Sequence, residues 1–243
     1  MSDKIAIMQQ GGHKLAAIRD LLVKTVKPGV TPLQIEALAN QLIKDTGGTP
    51  AFKTVPGYNW ATCININDGI VHGIPNAIPF KDGDLVSIDL GLIYKGYYTD
   101  TSATCVAGTP TAFQKKLIVA GDDALNAGIA AALVGNHVSD ISRAVEGVLK
   151  SAGFTPVHDL TGHGVGKKLH EDPFIPNFYS KFNPDSVLHD GQTIAIEPMY
   201  TTGGYRIKID QDNWTIRTAD GSLAGYVEHT IAITKNGPQI LTI

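Results

Sequence analysis

The chain has 243 residues, 43% of them hydrophobic and 18% charged, with a formal net charge of -3. This is the composition of an ordinary soluble globular protein with a substantial core, and it carries no basic footprint for nucleic acid. Two cysteines, Cys63 and Cys105, exclude a disulfide framework. No stretch approaches the roughly 18 apolar residues of a membrane span, and Met1 to Lys4 lead into no apolar run of a secretory signal. The expected location is cytoplasmic.

Two helical patterns open the chain, about Lys4 to Thr25 and then Pro32 to Asp45, separated by the turn Lys27-Pro28-Gly29. Thr31 is the expected N-cap, with Pro32 at the first helical position and Gly47-Gly48 past the end. The Pro- and Gly-rich stretch Pro56 to Gly73 reads as an ordered functional loop. Leu85 to Leu92 then alternates apolar residues as a strand does. Tyr94-Lys95-Gly96 supplies a turn, and Tyr97 to Val106 a returning strand. Helical patterns recur at about Thr111 to Val134 and Asp140 to Ala152, the latter with Ser139 as expected N-cap. Strand-like runs follow at Gln192 to Ile196 and Tyr226 to Ile233.

The chain therefore states one pattern twice. Gly47-Gly48-Thr49-Pro50 matches Gly153-Phe154-Thr155-Pro156, and a His-Gly element follows each helix pair, at His72-Gly73 and His163-Gly164. Asp84 to Leu92 parallels Gly191 to Tyr200, setting Asp89 against Glu197, while Asp100 and Glu228 fall in comparable later strands. These observations predict an α+β fold with a pseudo-twofold duplication. The repeats span about 1–110 and 111–243, within a single domain.

Titratable residues interrupt the apolar strands. A mirror point between Tyr94 and Lys95 places Asp89 directly opposite Asp100, where two carboxylates must share a proton or a cation. His163, Glu197 and Glu228 each sit in or beside an apolar run, where a lone charge is expensive. Separately, each has a plainer explanation: a solvated hairpin for the two aspartates, a buried histidine, a strand end, an exposed edge. Together, four carboxylates and one imidazole form a coherent shell for two divalent ions. That chemistry suits manganese, iron, cobalt or zinc without choosing among them. Gly162 to Gly166 lacks the strand–turn–helix context and the Lys-Ser/Thr of a P-loop. Ser102 and Cys105 have no evident activating base.

Five segments in order resemble the methionine aminopeptidases, metal-dependent enzymes of the pita-bread fold. They are Asn67 to Pro75, Ile88-Asp89-Leu90 with Gly96 to Ser102, Gly162 to Gly166 with His170 to Pro173, Ile196 to Met199, and Glu228-His229-Thr230. The short gap from His163 to Glu197 and the absence of a zinc-finger extension resemble the bacterial type I branch. The resemblance implies an antiparallel sheet flanked by two helix pairs. It also implies removal of the N-terminal methionine of nascent proteins and peptides, by a water activated between two metals.

Carried over by position, Asp100 and Glu228 would bridge both ions. Asp89 would complete one shell, and His163 with Glu197 the other. Glu197 would act as general base, His170 would stabilise the developing oxyanion, and His72 would contact the peptide near the departing nitrogen. Tyr58, Cys63 and Trp214 match positions that hold the methionine side chain. Leu169 stands where bacterial members usually carry an aromatic residue, and Phe52 and Val71 where many carry cysteine. The implied partner is a peptide beginning with Met and a small second residue. A monomer is expected, with the family's transient ribosome association. Asp89-Leu90-Gly91 and Tyr94 to Asp100 also resemble proline-directed aminopeptidases of the same fold, which usually carry an additional amino-terminal domain. A metal-free binding module is the third reading.

Overall fold

One helix of each pair opens on a capping box built from its own sequence. In the computed structural model, which describes residues 3–243, α1 spans Asp3–Thr25, α2 Pro32–Asp45, α3 Ala112–Ala131 and α4 Val138–Ala152. Met1 and Ser2, where the reading of a signal-free start falls, lie outside the described residues. Thr31 accepts from the Gln34 N–H while the Gln34 side chain accepts from the Thr31 N–H, and Thr111 with Gln114 repeats this box at α3. The expected cap of α4 is wrong. His137 holds that position, its N–H donating to Asp140 at 2.9 Å, whereas Ser139 lies inside the helix and spends its N–H and hydroxyl on Asp185. Gly153 ends α4 with a left-handed φ of 85°.

The strands are β1 (Thr49–Pro50), β2 (Thr62–Ile66), β3 (Gly69–Val71), β4 (Leu85–Tyr94), β5 (Tyr97–Val106), β6 (Thr155–Pro156), β7 (Thr161–Gly164), β8 (Glu171–Pro176), β9 (Thr193–Ile196), β10 (Met199–Thr201), β11 (Ile207–Ile209), β12 (Ile216–Thr218), β13 (Ala224–Tyr226), β14 (Glu228–Thr234) and β15 (Gly237–Ile240). The stretch Pro56 to Gly73, expected to be a loop, in fact contains β2 and β3, joined through Asn67 with a positive φ of 56°. Among the described residues, nine strands form one antiparallel sheet in the order β1-β4-β5-β14-β9-β7-β8, with β2 on β4 and β15 on β14. Two three-stranded sheets, β13-β10-β6 and β11-β12-β3, wall the space above it.

Alternation along the strands decides what each face of the large sheet holds. Val86, Ile88, Leu90 and Leu92 of β4 pack on Leu15, Leu22, Ile35 and Ile43 of α1 and α2. Ile194, Ile196, Ile231 and Ile233 of β9 and β14 pack in the same way on Leu117, Ile141, Val145 and Leu149 of α3 and α4. Each such side chain contributes about 1.5–3 kcal/mol by burial. The two helix pairs thus cover one face, one pair per half of the sheet. The intervening residues of the same strands are left to the opposite face.

The β4–β5 register differs from the expected one. Tyr94 pairs with Tyr97, so Asp89 faces Ser102 and Asp100 faces Gly91. Lys95 and Gly96 both take positive φ, 48° and 77°, forming a two-residue turn matched to the twist of the strands. The turn centre therefore falls one residue later than a mirror at Tyr94-Lys95, and the pairing shifts by two. A shift of two preserves the face, so Asp89 and Asp100 remain diagonal neighbours on one side of the sheet.

Candidate active site

Period-two geometry gathers the titratable residues on the face away from the helices. Ser102 of β5 pairs with Asp89 of β4 on one side and Glu228 of β14 on the other, so these three share one row. Asp100 lies two residues back from Ser102, on the same face. From the other half, His163 of β7 pairs with Ala195, and Glu197 follows two residues later at the end of β9. All five side chains are buried, Glu228 completely. The structure thus brings together every residue that the sequence singles out as a metal ligand.

The distances are those of a cation site. Single ligand atoms of Asp100, His163 and Glu228 lie within 4.8 Å of one another. His163 Nε2 is 3.5 Å from Glu197 Oε1 and 4.0 Å from Asp100 Oδ2. The Gly164 carbonyl, 2.9 Å from His163 Nδ1, can only accept, so Nδ1 carries the proton and Nε2 offers its lone pair to the carboxylates. Burial and the neighbouring His170 push His163 down to about 4, which keeps the imidazole neutral at neutral pH.

Burial and mutual repulsion push Asp89, Glu197 and Glu228 well above the ordinary carboxylate range, and burial takes Asp100 up to about 7. Four buried carboxylates this close together cannot all ionise without a compensating positive charge. Asp89 Oδ1 and Glu228 Oε1 are buried with no hydrogen-bond partner among the described residues. Orphaned carboxylate oxygens beside a neutral imidazole are a donor set for divalent transition-metal ions, and the residues present fit them.

Above this floor is a cavity of about 310 Å³. Phe52, Tyr58, Cys63, Val71, Leu169 and Trp214 line its apolar side, and His72 and His170 its polar side. Every residue expected to contact substrate therefore faces it. The substitutions at Phe52, Val71 and Leu169 keep that wall apolar. Cys63 pairs with Asp89 across β2 and β4, which sets the pocket wall against the floor. Tyr58 donates its hydroxyl to the Thr62 carbonyl at 2.9 Å and meets Trp214 edge to face, 5.1 Å between centroids. Asp212 accepts from the N–H groups of Trp214 and Thr215, and Arg217 pairs with both Asp68 and Asp210, bracing the loop that carries Trp214.

His72 holds a left-handed φ of 58°, a conformation that costs a non-glycine residue about 1–3 kcal/mol and clusters at functional positions. Its exposed ring stands edge-on to Trp214, at 6.4 Å. His170, also exposed, lies 4.5 Å from the His163 ring.

Sequence reasoning missed Tyr226. Its phenol donates to Glu228 Oε2 at 3.2 Å, and burial beside the carboxylates pushes it well above the ordinary phenol range. The signal was present, because a residue two before Glu228 on an extended segment shares its face. Met199, two after Glu197, enters the cavity by the same rule. Phe174 of β8 lines it too, and no spacing predicted that. No described helix is long and apolar enough to cross a membrane.

Comparison with known proteins agrees with this geometry. The profile of metallopeptidase family M24 matches residues 6–235. The methionine aminopeptidase of Clostridium perfringens is 39% identical over 241 residues, covering 99% of this chain and 96% of the relative. A crystal structure of methionine aminopeptidase from Thermotoga maritima superposes with a TM-score of 0.95 at 38% identity, covering 100% of this chain and 97% of that one. The prolidase from Pyrococcus furiosus shares the fold at a TM-score of 0.80 and 25% identity, but this chain spans only 64% of it. With a metal-competent floor, a largely apolar pocket above it and these relatives, the chain belongs to metallopeptidase family M24, in its methionine aminopeptidase branch.

Proposed function

We propose that this chain removes the N-terminal methionine from peptides and nascent proteins, as a single catalytic unit holding two divalent ions. The observation that carries the reading is the convergence of Asp89, Asp100, His163, Glu197 and Glu228 at the base of an apolar cavity, with two buried carboxylate oxygens left without partners. Asp100 and Glu228 would bridge the two ions. Asp89 would complete one shell, and His163 with Glu197 the other. Cobalt, manganese, iron and zinc all suit this donor set. When bound, such ions acidify a water and draw electron density from the scissile carbonyl.

The protein's own groups do the rest. Glu197 accepts the proton that the attacking water loses as the new C–O bond forms, then delivers it to the departing nitrogen as the carbonyl re-forms and the C–N bond breaks. His170 donates to the carbonyl oxygen as negative charge develops there. His72 stands beside the nitrogen of the leaving peptide. Tyr58, Cys63, Leu169 and Trp214 enclose the first side chain, and an unbranched thioether suits a cavity lined by aromatic rings and a thiol.

The substrate would be a free N-terminus beginning with methionine and a small second residue. The protein would act as a cytoplasmic monomer, in transient association with the ribosome. Product analysis on a Met-Gly and an Ala-Pro peptide, after metal removal and manganese or cobalt add-back, tests the reading. Metal-dependent release of methionine from the first peptide alone is the expected result. Cleavage of the Ala-Pro peptide alone would move the chain to a proline-directed activity. Cleavage of neither, with metal bound, would make it a binding module.

A further inference from the structure

We infer that Tyr226 is a positioning residue of the metal floor: its phenol holds Oε2 of Glu228 and leaves Oε1 as the oxygen presented to a cation. This rests on the metal-site reading above. The two oxygens of Glu228 are unequal. Oε2 accepts the Tyr226 hydroxyl at 3.2 Å, whereas Oε1 is fully buried with no partner among the described residues. A carboxylate with one oxygen tethered loses its rotation about the terminal bond, so the free oxygen points one way before any ion arrives.

Tyr226 is itself held on every side. Its N–H donates to Thr104 Oγ1 at 3.1 Å, and its carbonyl accepts from the same hydroxyl at 2.6 Å. That hydroxyl also lies 2.7 Å from Ser87 Oγ. Met199 pairs with Tyr226 from the other side, across β10 and β13. Thr104 stands on the strand that carries Asp100, four residues further on, so one element sets both the ligand and the clamp on Tyr226. Outer hydrogen bonds of this kind fix ligand direction, and their removal typically lowers metal affinity about 10–100-fold.

The test uses the full chain, wild type and Tyr226→Phe, stripped of metal and titrated with manganese by calorimetry. The expected result is an affinity at least about 10-fold weaker with unchanged stoichiometry. The melting temperature of the metal-free protein should stay within about 2 °C, a small change for a domain of this size. With saturating manganese, kcat on the Met-Gly peptide should fall while KM holds. Equal manganese affinity in the two proteins overturns the inference, and so does a loss of metal-free stability that accounts for the whole effect. If Tyr226→Phe is misfolded by circular dichroism, Thr104→Val decides. That variant frees Tyr226 while keeping the phenol, and unchanged manganese affinity there overturns the inference equally. A wild-type protein that binds manganese but releases no methionine would defeat the proposed function and leave this inference standing.

Discussion

The floor and the wall of the cavity are built by opposite means. The floor residues sit on or beside the central strands of the nine-stranded sheet, where backbone pairing on both sides fixes each Cα before any side chain acts. Much of the wall comes from loops and short elements, Phe52 to Thr62 and Asp210 to Thr215 among them, held by side-chain contacts to Asp212, Arg217 and Glu36. A position set by strand pairing resists drift, which a metal site requires. A position set by loop bracing can change shape without disturbing the floor. The lesson is that turnover and specificity are separable in this molecule, and substitutions can test the separation.

The largest expected effect is at the floor. Asp100→Asn should lower kcat/KM by about 10³-fold or more, since charge stabilisation worth several kcal/mol is lost with the ions. Metal content measured beside turnover checks it, and near-normal activity with two ions bound would remove the bridging assignment. His170→Ala sharpens the boundary, because this residue belongs to the polar rim. Its kcat should fall about 10²–10³-fold with metal content unchanged. Equal losses of metal and turnover would make it a floor residue instead.

Trp214→Ala acts on the wall alone. It should lower kcat/KM for a Met-Gly peptide by about 10–200-fold, the range for altering an apolar pocket, with manganese affinity intact. A parallel loss of manganese would break the separation.

The smallest effect concerns the metal-free protein. The floor carboxylates titrate above their unfolded values, so above the unfolded carboxylate range the folded state holds more protons and stability falls as pH rises. His163 and His229, depressed to about 4, act in the opposite sense, but only below the unfolded histidine value. Between about pH 7.5 and 8.5 the unfolded histidines are almost fully deprotonated, so the carboxylates set the sign of the slope. The melting temperature of chelated protein should decline across that window, and manganese should abolish the decline. A rise with pH in the chelated protein would mean that the carboxylates are already compensated without an ion.

The same division explains what the sequence disclosed. Asp89, Asp100, His163, Glu197 and Glu228 could be found because a charge in an alternating apolar run is anomalous, and alternation fixes its face. The register error between Asp89 and Asp100 did no harm for the same reason, since a two-residue slip preserves the face. The cap of α4 was misassigned because Asp185, 46 residues away, takes the groups of Ser139. No local pattern encodes that contact. β2 and β3 were hidden in a glycine-rich segment whose strands are short and paired to distant partners, β4 and β12. Phe174 reaches the cavity through tertiary packing alone. Tyr226 was legible in principle, by the spacing that marks Glu228, but a tyrosine in an apolar run is no anomaly.

The division of the ligands between the two halves of the chain also has a kinetic consequence. Asp89 and Asp100 lie far in sequence from His163, Glu197 and Glu228, so no short segment can assemble the site. Contacts of such long separation form late, because the loop entropy must be met before they reward the chain. Metal bound among these five ligands would then act as a clasp that closes after both helix pairs have docked. It should slow unfolding far more than it speeds folding, and so lengthen the lifetime of the finished protein.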